Sequence, residues 1–205
     1  MKKVELVDLI TLGFLSIKPM YGYEINGILK KMQWDNLSGI SKATVYNSFK
    51  RNEPKGYLDS ETVTTEGRPP KTLYFINKDG LDYLRKLVKY SLELFTAETP
   101  FVFNIGFQIS FLLKQSTVRE SLKSRVSSIE KTMGHIKAHT LIDKKYGSKF
   151  FKVTMDSVKM HLKIELNKTK ELINLIEEDK DYGKKQLKML KTIELSKLLL
   201  QGDKR

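Results

Sequence analysis

Apolar positions crowd the start of the chain. Val4, Leu6, Val7, Leu9, Ile10, Leu12, Phe14 and Leu15 are too dense for a one-sided surface helix and predict a helix covered on most sides. Pro19 stops it. A second helix is expected from Gly22, with Ile25, Ile28, Leu29 and Met32 at helical spacing, ending around Trp34 before a turn-like stretch from Asp35 to Gly39. Ser41 caps a third, running to about Glu53. It turns Val45 and Phe49 to the core and leaves Lys42, Thr44, Asn47, Lys50 and Arg51 largely free of it. Pro54 and Gly56 end it. Strand-like segments follow from Tyr57 to Thr64 and from Lys71 to Ile76, separated by Glu66-Gly67-Arg68-Pro69-Pro70. They predict a hairpin with a basic, proline-stiffened tip. Asn77 is read as the cap of a fourth helix through Leu81, Leu84, Leu87, Val88, Leu92 and Phe95.

The rest of the pattern is helical. The run from Phe101 to Leu113 is too short to cross a bilayer and contains Asn104, Gln108 and Ser110, so a buried helix is expected. Thr117 and Glu120 have capping-box spacing and are read as opening a long helix with Val118, Leu122, Val126, Ile129, Met133 and Ile136 on one stripe. Gly147 ends it. Phe151, Met155, Val158, Leu162, Leu166, Thr169, Ile173 and Ile176 form another stripe, spaced by threes and fours over about seven turns. Such length calls for a partner helix. Asp179 to Gly183 breaks the stripe, and Leu187, Leu190, Ile193 and Leu198 mark a last helix.

Three helices, a hairpin and a fourth helix, in that order, predict a winged helix-turn-helix. The expected fold is mainly α with a small β-hairpin wing, in two domains: 1–96 for DNA binding and 97–205, all helical, for dimerisation and effector binding. At 205 residues there is enough chain for two cores. No cysteine is present, so disulfides and thiolate metal sites are excluded, and with no signal-peptide pattern a cytoplasmic location is expected. The net charge of +13 points to an anionic partner. Its distribution weakens that argument: Met1 to Thr96 hold 15 Lys and Arg against 11 Asp and Glu, whereas Ala97 to Arg205 hold 22 against 13.

In a winged helix-turn-helix the third helix lies in the major groove and the wing reaches neighbouring backbone or minor groove. Lys42, Lys50 and Arg51 are therefore candidate phosphate contacts, with the amides near Ser41. Thr44, Asn47 and Lys50 are candidate base readers, since asparagine matches adenine and lysine matches guanine. Tyr46 has two open readings, stacking on the sugar-phosphate backbone or filling the core. Arg68 and Lys71 at the wing are phosphate candidates against the alternative of solvated turn charges.

These residues also resemble the PadR-type transcriptional regulators. The resemblance is carried by Leu12-Gly13-Phe14-Leu15, Pro19-Met20-Tyr21-Gly22-Tyr23-Glu24-Ile25, Ile40-Ser41-Lys42-Ala43-Thr44-Val45-Tyr46, Lys50-Arg51, Lys55-Gly56-Tyr57-Leu58 and Gly67-Arg68-Pro69-Pro70-Lys71, in the family's order and spacing. It covers about Val4 to Lys89. It implies a homodimer binding a dyad-symmetric operator on double-stranded DNA, usually as a repressor, with helical C-terminal dimerisation and often a small-molecule effector. Tyr21 departs from the usual histidine, Asn47 from proline, and Phe49 and Asn52 from leucines. Asn52 needs a hydrogen-bond partner if it faces the core, and Pro54 behind it implies an early helix end.

An effector pocket is expected, if anywhere, at Trp34, Phe101, Phe103 and Phe107, with core filling as the other reading. His135, His139 and Asp143 recur every four residues, with His161 on the next helix. The row lies away from the apolar line, so no metal site or cofactor is assigned. The alternative function is a winged-helix protein-interaction adaptor with a coiled-coil-like C-terminal region, which salt-independent behaviour would distinguish. An enzyme is not expected, for want of a nucleophile–base pairing or a phosphate-cradling glycine loop.

Overall fold

The computed structural model describes residues 3–31, 40–95, 100–146, 149–185 and 187–188, with side chains undescribed at 3–4, 65, 68 and 137–146. The predicted elements from Trp34 to Gly39 and from Leu190 to Leu198 lie outside the described residues.

Helix α1, Lys3–Leu15, buries Val7, Leu9, Ile10, Leu12 and Leu15, and is covered on most sides as its dense apolar pattern requires. A two-residue strand β1, Met20–Tyr21, leads into α2, Gly22–Lys31. Helix α3, Lys42–Asn52, is opened by a capping box in which the Ser41 side chain and Thr44 satisfy each other's backbone amides. Such a cap contributes about 1 kcal/mol. The helix runs on to Asn52 with Glu53 as its C-cap, and so does not end early. Gly56, at φ +73, then turns the chain, a conformation that favours glycine.

The wing consists of β2, Leu58–Thr65, and β3, Arg68–Ile76. They pair antiparallel from Leu58↔Ile76 to Thr65↔Arg68, with an irregularity between Val63 and Thr65. Pro69 and Pro70, expected in the tip, lie in β3 instead. The turn itself is Glu66-Gly67, with Gly67 at φ +72. Strand β1 adds to the other edge of β3, as Met20↔Tyr74 and Tyr21↔Leu73, giving the sheet order β1-β3-β2. This short strand ties the wing to the entrance of α2.

Helix α4, Lys78–Glu93, is capped by Asn77, whose side chain accepts from the Gly80 amide. It packs on α1 and on the helices that follow. Gly80 is obligatory here, because a Cβ would lie 2.1 Å from the Tyr57 carbonyl oxygen. Helix α5, Pro100–Ile109, continues as a 3-10 turn, Ser110–Leu112. Then come the long helices α6, Gln115–Tyr146, and α7, Lys149–Glu178. Thr117 lies inside the first turn of α6, so the expected capping box is not its start. Helices α6 and α7 pair, with Leu162, Thr169 and Ile176 of α7 buried. One cluster of buried side chains runs from α1 to Ile176. The protein is thus mainly α-helical, with a small antiparallel wing and a helical C-terminal region.

Candidate nucleic-acid interface

At the sequence level α3 alternates apolar and polar positions at helical spacing, and packing sorts them. Val45, Ser48, Phe49 and Asn52 are buried. Phe49 stacks on Tyr74 of β3 with centroids 4.1 Å apart, so the helix sits directly against the wing. On the opposite side Ser41, Lys42, Ala43, Asn47 and Lys50 are exposed, while Thr44, Tyr46 and Arg51 are half-buried. At about 100° per residue, Lys42, Tyr46, Lys50, Ala43 and Asn47 follow one another around roughly 140° of the helix. Lys42 and Lys50 have no charged partner among the described residues.

Three of the expected residues are more constrained than their spacing implied. The Thr44 hydroxyl donates to the Ser41 carbonyl at 2.7 Å and accepts from the Ser41 amide at 2.9 Å, so it serves the cap. Tyr46 packs edge-on against Phe49, centroids 6.2 Å apart, and lies over Gly22, where a Cβ would come 2.8 Å from its ring. Arg51 does not stand free of the core: its Nη2 forms a salt bridge with the Asp8 carboxylate, and Arg51 is only 28% exposed. A cation expected to face solvent thus turns toward α1, because a buried carboxylate there demands it.

That carboxylate carries no signal in the sequence, where Asp8, like Glu5, is an acidic residue within the apolar run of α1. Asp8 is 1% exposed. Its Oδ1 accepts from Ser48 at 2.7 Å and Asn52 at 2.8 Å as well as from Arg51, and its Oδ2 accepts from Tyr83 of α4 at 3.2 Å. Asn52 Nδ2 therefore has partners in Asp8 and Ser48, whereas its Oδ1, also buried, accepts no hydrogen bond among the described residues. Burial, followed by the charge of Asp8, pushes the Tyr83 hydroxyl up to about 12. No local pattern could have revealed this, since the partners lie 40, 44 and 75 residues away.

Of the two wing residues, Lys71 is exposed, and its Nζ lies 5.0 Å from the Tyr23 ring centroid. Tyr23 is half exposed and stacks on Tyr21 at 5.4 Å. The Arg68 side chain and Trp34 lie outside what is described. Ala43 and Tyr23 were also missed. Ala43 was legible from its angle between Lys42 and Asn47, whereas Tyr23 becomes part of this face only through β1.

Phe103 is buried, and Phe101 and Phe107 pack against the core. Phe103 and Phe107 stack at 6.0 Å. The Arg125 guanidinium sits 4.1 Å from the Phe103 centroid, and the Lys168 ammonium 5.0 Å from it. A groove of ≈ 510 Å³ is lined by Gln115, Ser116, Arg119, Ile176 and Glu177, none of them in the aromatic cluster. Among the described residues no group of three or more potential metal ligands gathers; the side chains of His139 and Asp143 fall outside them. No helix of the described residues is long and apolar enough to cross a membrane.

The family model of the "Transcriptional regulator PadR-like family" matches residues 11–86, the segment that carries α2, α3 and the wing. No curated protein matches the chain. Among solved structures, smu.1604c from Streptococcus mutans UA159 is 25% identical, covering 83% of this chain and 96% of that one at a TM-score of 0.38. Bacillus subtilis PadR, solved in complex with operator DNA, is 14% identical, covering 82% of this chain and 98% of its own at 0.37. The PadR-like transcriptional regulator BC1756 from Bacillus cereus is 16% identical, covering 83% and 98% at 0.35.

Proposed function

We propose that this chain, whose residues 11–86 match the family model of PadR-like transcriptional regulators, is a homodimeric, sequence-specific DNA-binding repressor acting on a dyad-symmetric operator. The observation that carries the proposal is the outward face of α3, where Lys42, Ala43, Asn47 and Lys50 are exposed together beside the wing. Lys42 and Lys50 supply phosphate contacts, and the exposed amide end near Ser41 adds another. Asn47 offers the bidentate edge that matches adenine, and Ala43, with only a methyl group, allows close approach to a base edge. Thr44 and Tyr46 contribute where they emerge from the cap and the core. On the wing, Lys71 is exposed, and Arg68 and Lys71 are the cations assigned to the neighbouring backbone by their place in the sequence.

The division of labour is 1–96 for DNA and 97–205 for dimerisation and effector response. A second apolar stripe on α7 supports a second copy as the partner. Phe150 is 85% exposed, Val153 70%, Met160 65%, Ile164 58% and Leu175 53%, and these positions fall within roughly 80° of arc, well away from the stripe that packs on α6. Pairing two such stripes would hide them and hold two α3 helices at one DNA turn, roughly 34 Å. A small effector near Phe101, Phe103 and Phe107 would act by changing that distance.

The test is selection of bound duplexes from a random pool, followed by titration of the best duplex against salt. Two half-sites about 10–10.5 base pairs apart are expected. Lys42→Ala and Lys50→Ala should each flatten the slope of log K against log salt by about 0.9 per phosphate released. Binding that does not depend on salt would instead favour a protein-interaction adaptor.

A further inference from the structure

The Asp8 cluster does more than satisfy buried polar atoms. Helix α3 is held to the core by Val45 and Phe49, and apolar contacts of this kind are non-directional. Hydrogen bonds are directional. Ser48, Arg51 and Asn52 stand at i, i+3 and i+4 on one flank of the helix, and all three donate to a single oxygen of Asp8. One turn along α1, the Thr11 hydroxyl meets the Ser48 hydroxyl at 2.9 Å. From the other side, Tyr83 of α4 holds the second Asp8 oxygen. A rotation of α3 about its axis would break several of these bonds together, whereas Val45 and Phe49 could slide.

We infer that Asp8 is a positioning residue for DNA recognition, fixing the rotation of α3, and that Arg51 belongs to this clamp instead of contacting phosphate. The inference rests on the reading of α3 as the DNA-contacting helix. Its physical basis is charge balance: if Arg51 swung out to a phosphate, Asp8 would remain as a buried anion supported by neutral donors alone, which is strongly unfavourable. Only Lys42 and Lys50 on α3 then have charge to offer, so α3 contributes about two phosphates' worth of salt dependence per protomer and not three.

The test uses full-length protein with the duplex selected by the wild type and a scrambled duplex of equal length. The variants are Arg51→Met and Asp8→Asn, with circular dichroism to confirm folding. Both should bind the selected duplex about tenfold more weakly, bind the scrambled duplex within about twofold of wild type, and retain the wild-type salt slope. Losing the preference for the selected sequence without losing charge contacts is a result that a merely structural role would not produce. Arg51→Met removes one donor of four, so it stands as the test if Asp8→Asn does not fold. A slope flatter by about 0.9 per protomer, or about 1.8 for the dimer, in Arg51→Met, with equal losses on both duplexes, would make Arg51 a phosphate ligand and overturn the inference. Wild-type affinity for both duplexes in a folded Arg51→Met would overturn it as well. Failure of the wild type to bind any duplex in a salt-dependent way would instead remove the underlying reading.

Discussion

The chemistry of single residues in this protein is governed by contacts that sequence spacing does not display. Tyr83 illustrates it. Its hydroxyl donates to Asp8 at 3.2 Å, and burial together with that carboxylate pushes its titration up to about 12, above the ordinary value near 10. A phenol that holds its proton more tightly when folded stabilises the fold below pH 10. That contribution is lost as pH rises through 10 toward 12, where ionisation would set two anions against each other. Urea midpoints measured across this range should fall for the wild type and fall less steeply for Tyr83→Phe. Some decline should persist in the variant, because burial and Glu53 also raise Tyr74. Equal slopes in the two proteins would show that the Tyr83–Asp8 contact does not form. The outward residues of α3 were legible because amphipathic spacing alone determines them. Asp8, Arg51 and Tyr83 were not, because burial of a charge depends on partners brought together only by the tertiary fold.

At the scale of elements, helix spacing was readable and close approach was not. Helices α1 to α4 begin where periodicity and caps put them, and Asn77 caps α4 as its position implied, but α4 ends at Glu93 short of Phe95 and the two prolines expected in the wing's turn lie in β3. Strand β1 escaped notice, since two residues carry no alternation and are strand only because β3 offers them an edge. Glycines behave alike in a sequence and differently in a packed helix. Gly106 of α5 lies so close to α4 that a Cβ would fall 1.7 Å from Ser91 Oγ, while Gly27 of α2 has nothing within 4 Å. Gly27→Ala should therefore stabilise the protein by about 0.5–1 kcal/mol through helix propensity. Gly106→Ala should destabilise it by roughly 1–3 kcal/mol through overpacking at the α4–α5 contact. Thermal melts of the two variants moving in the same direction would contradict that contact.

For the whole molecule, the junction between α4 and the helical C-terminal region contains a buried ion pair beside its apolar contacts. Arg125 of α6 donates to Glu165 of α7 at 2.8 Å and also to the carbonyl of Leu94, the C-cap of α4. Its guanidinium lies against Phe103 of α5, so four helices meet on one side chain. Burial lowers the Arg125 pKa, against the pull of Glu165. Burial would raise Glu165, but hydrogen bonds from Lys168 and Arg125 outweigh it and hold that carboxyl below its ordinary value. Removing one partner of such a pair leaves an uncompensated buried charge, whereas removing both can be nearly neutral. Lys168 remains beside Glu165 at 2.6 Å, so Arg125→Met should cost near the lower end of the usual range, about 3 kcal/mol. The double variant Arg125→Met/Glu165→Gln should cost less than the two single changes added together, by about 1 kcal/mol or more. Chemical unfolding of the four proteins measures this coupling. Strict additivity would mean that Arg125 acts through Phe103 and Leu94 alone, and that α6 and α7 are held to each other by their apolar stripe without the ion pair.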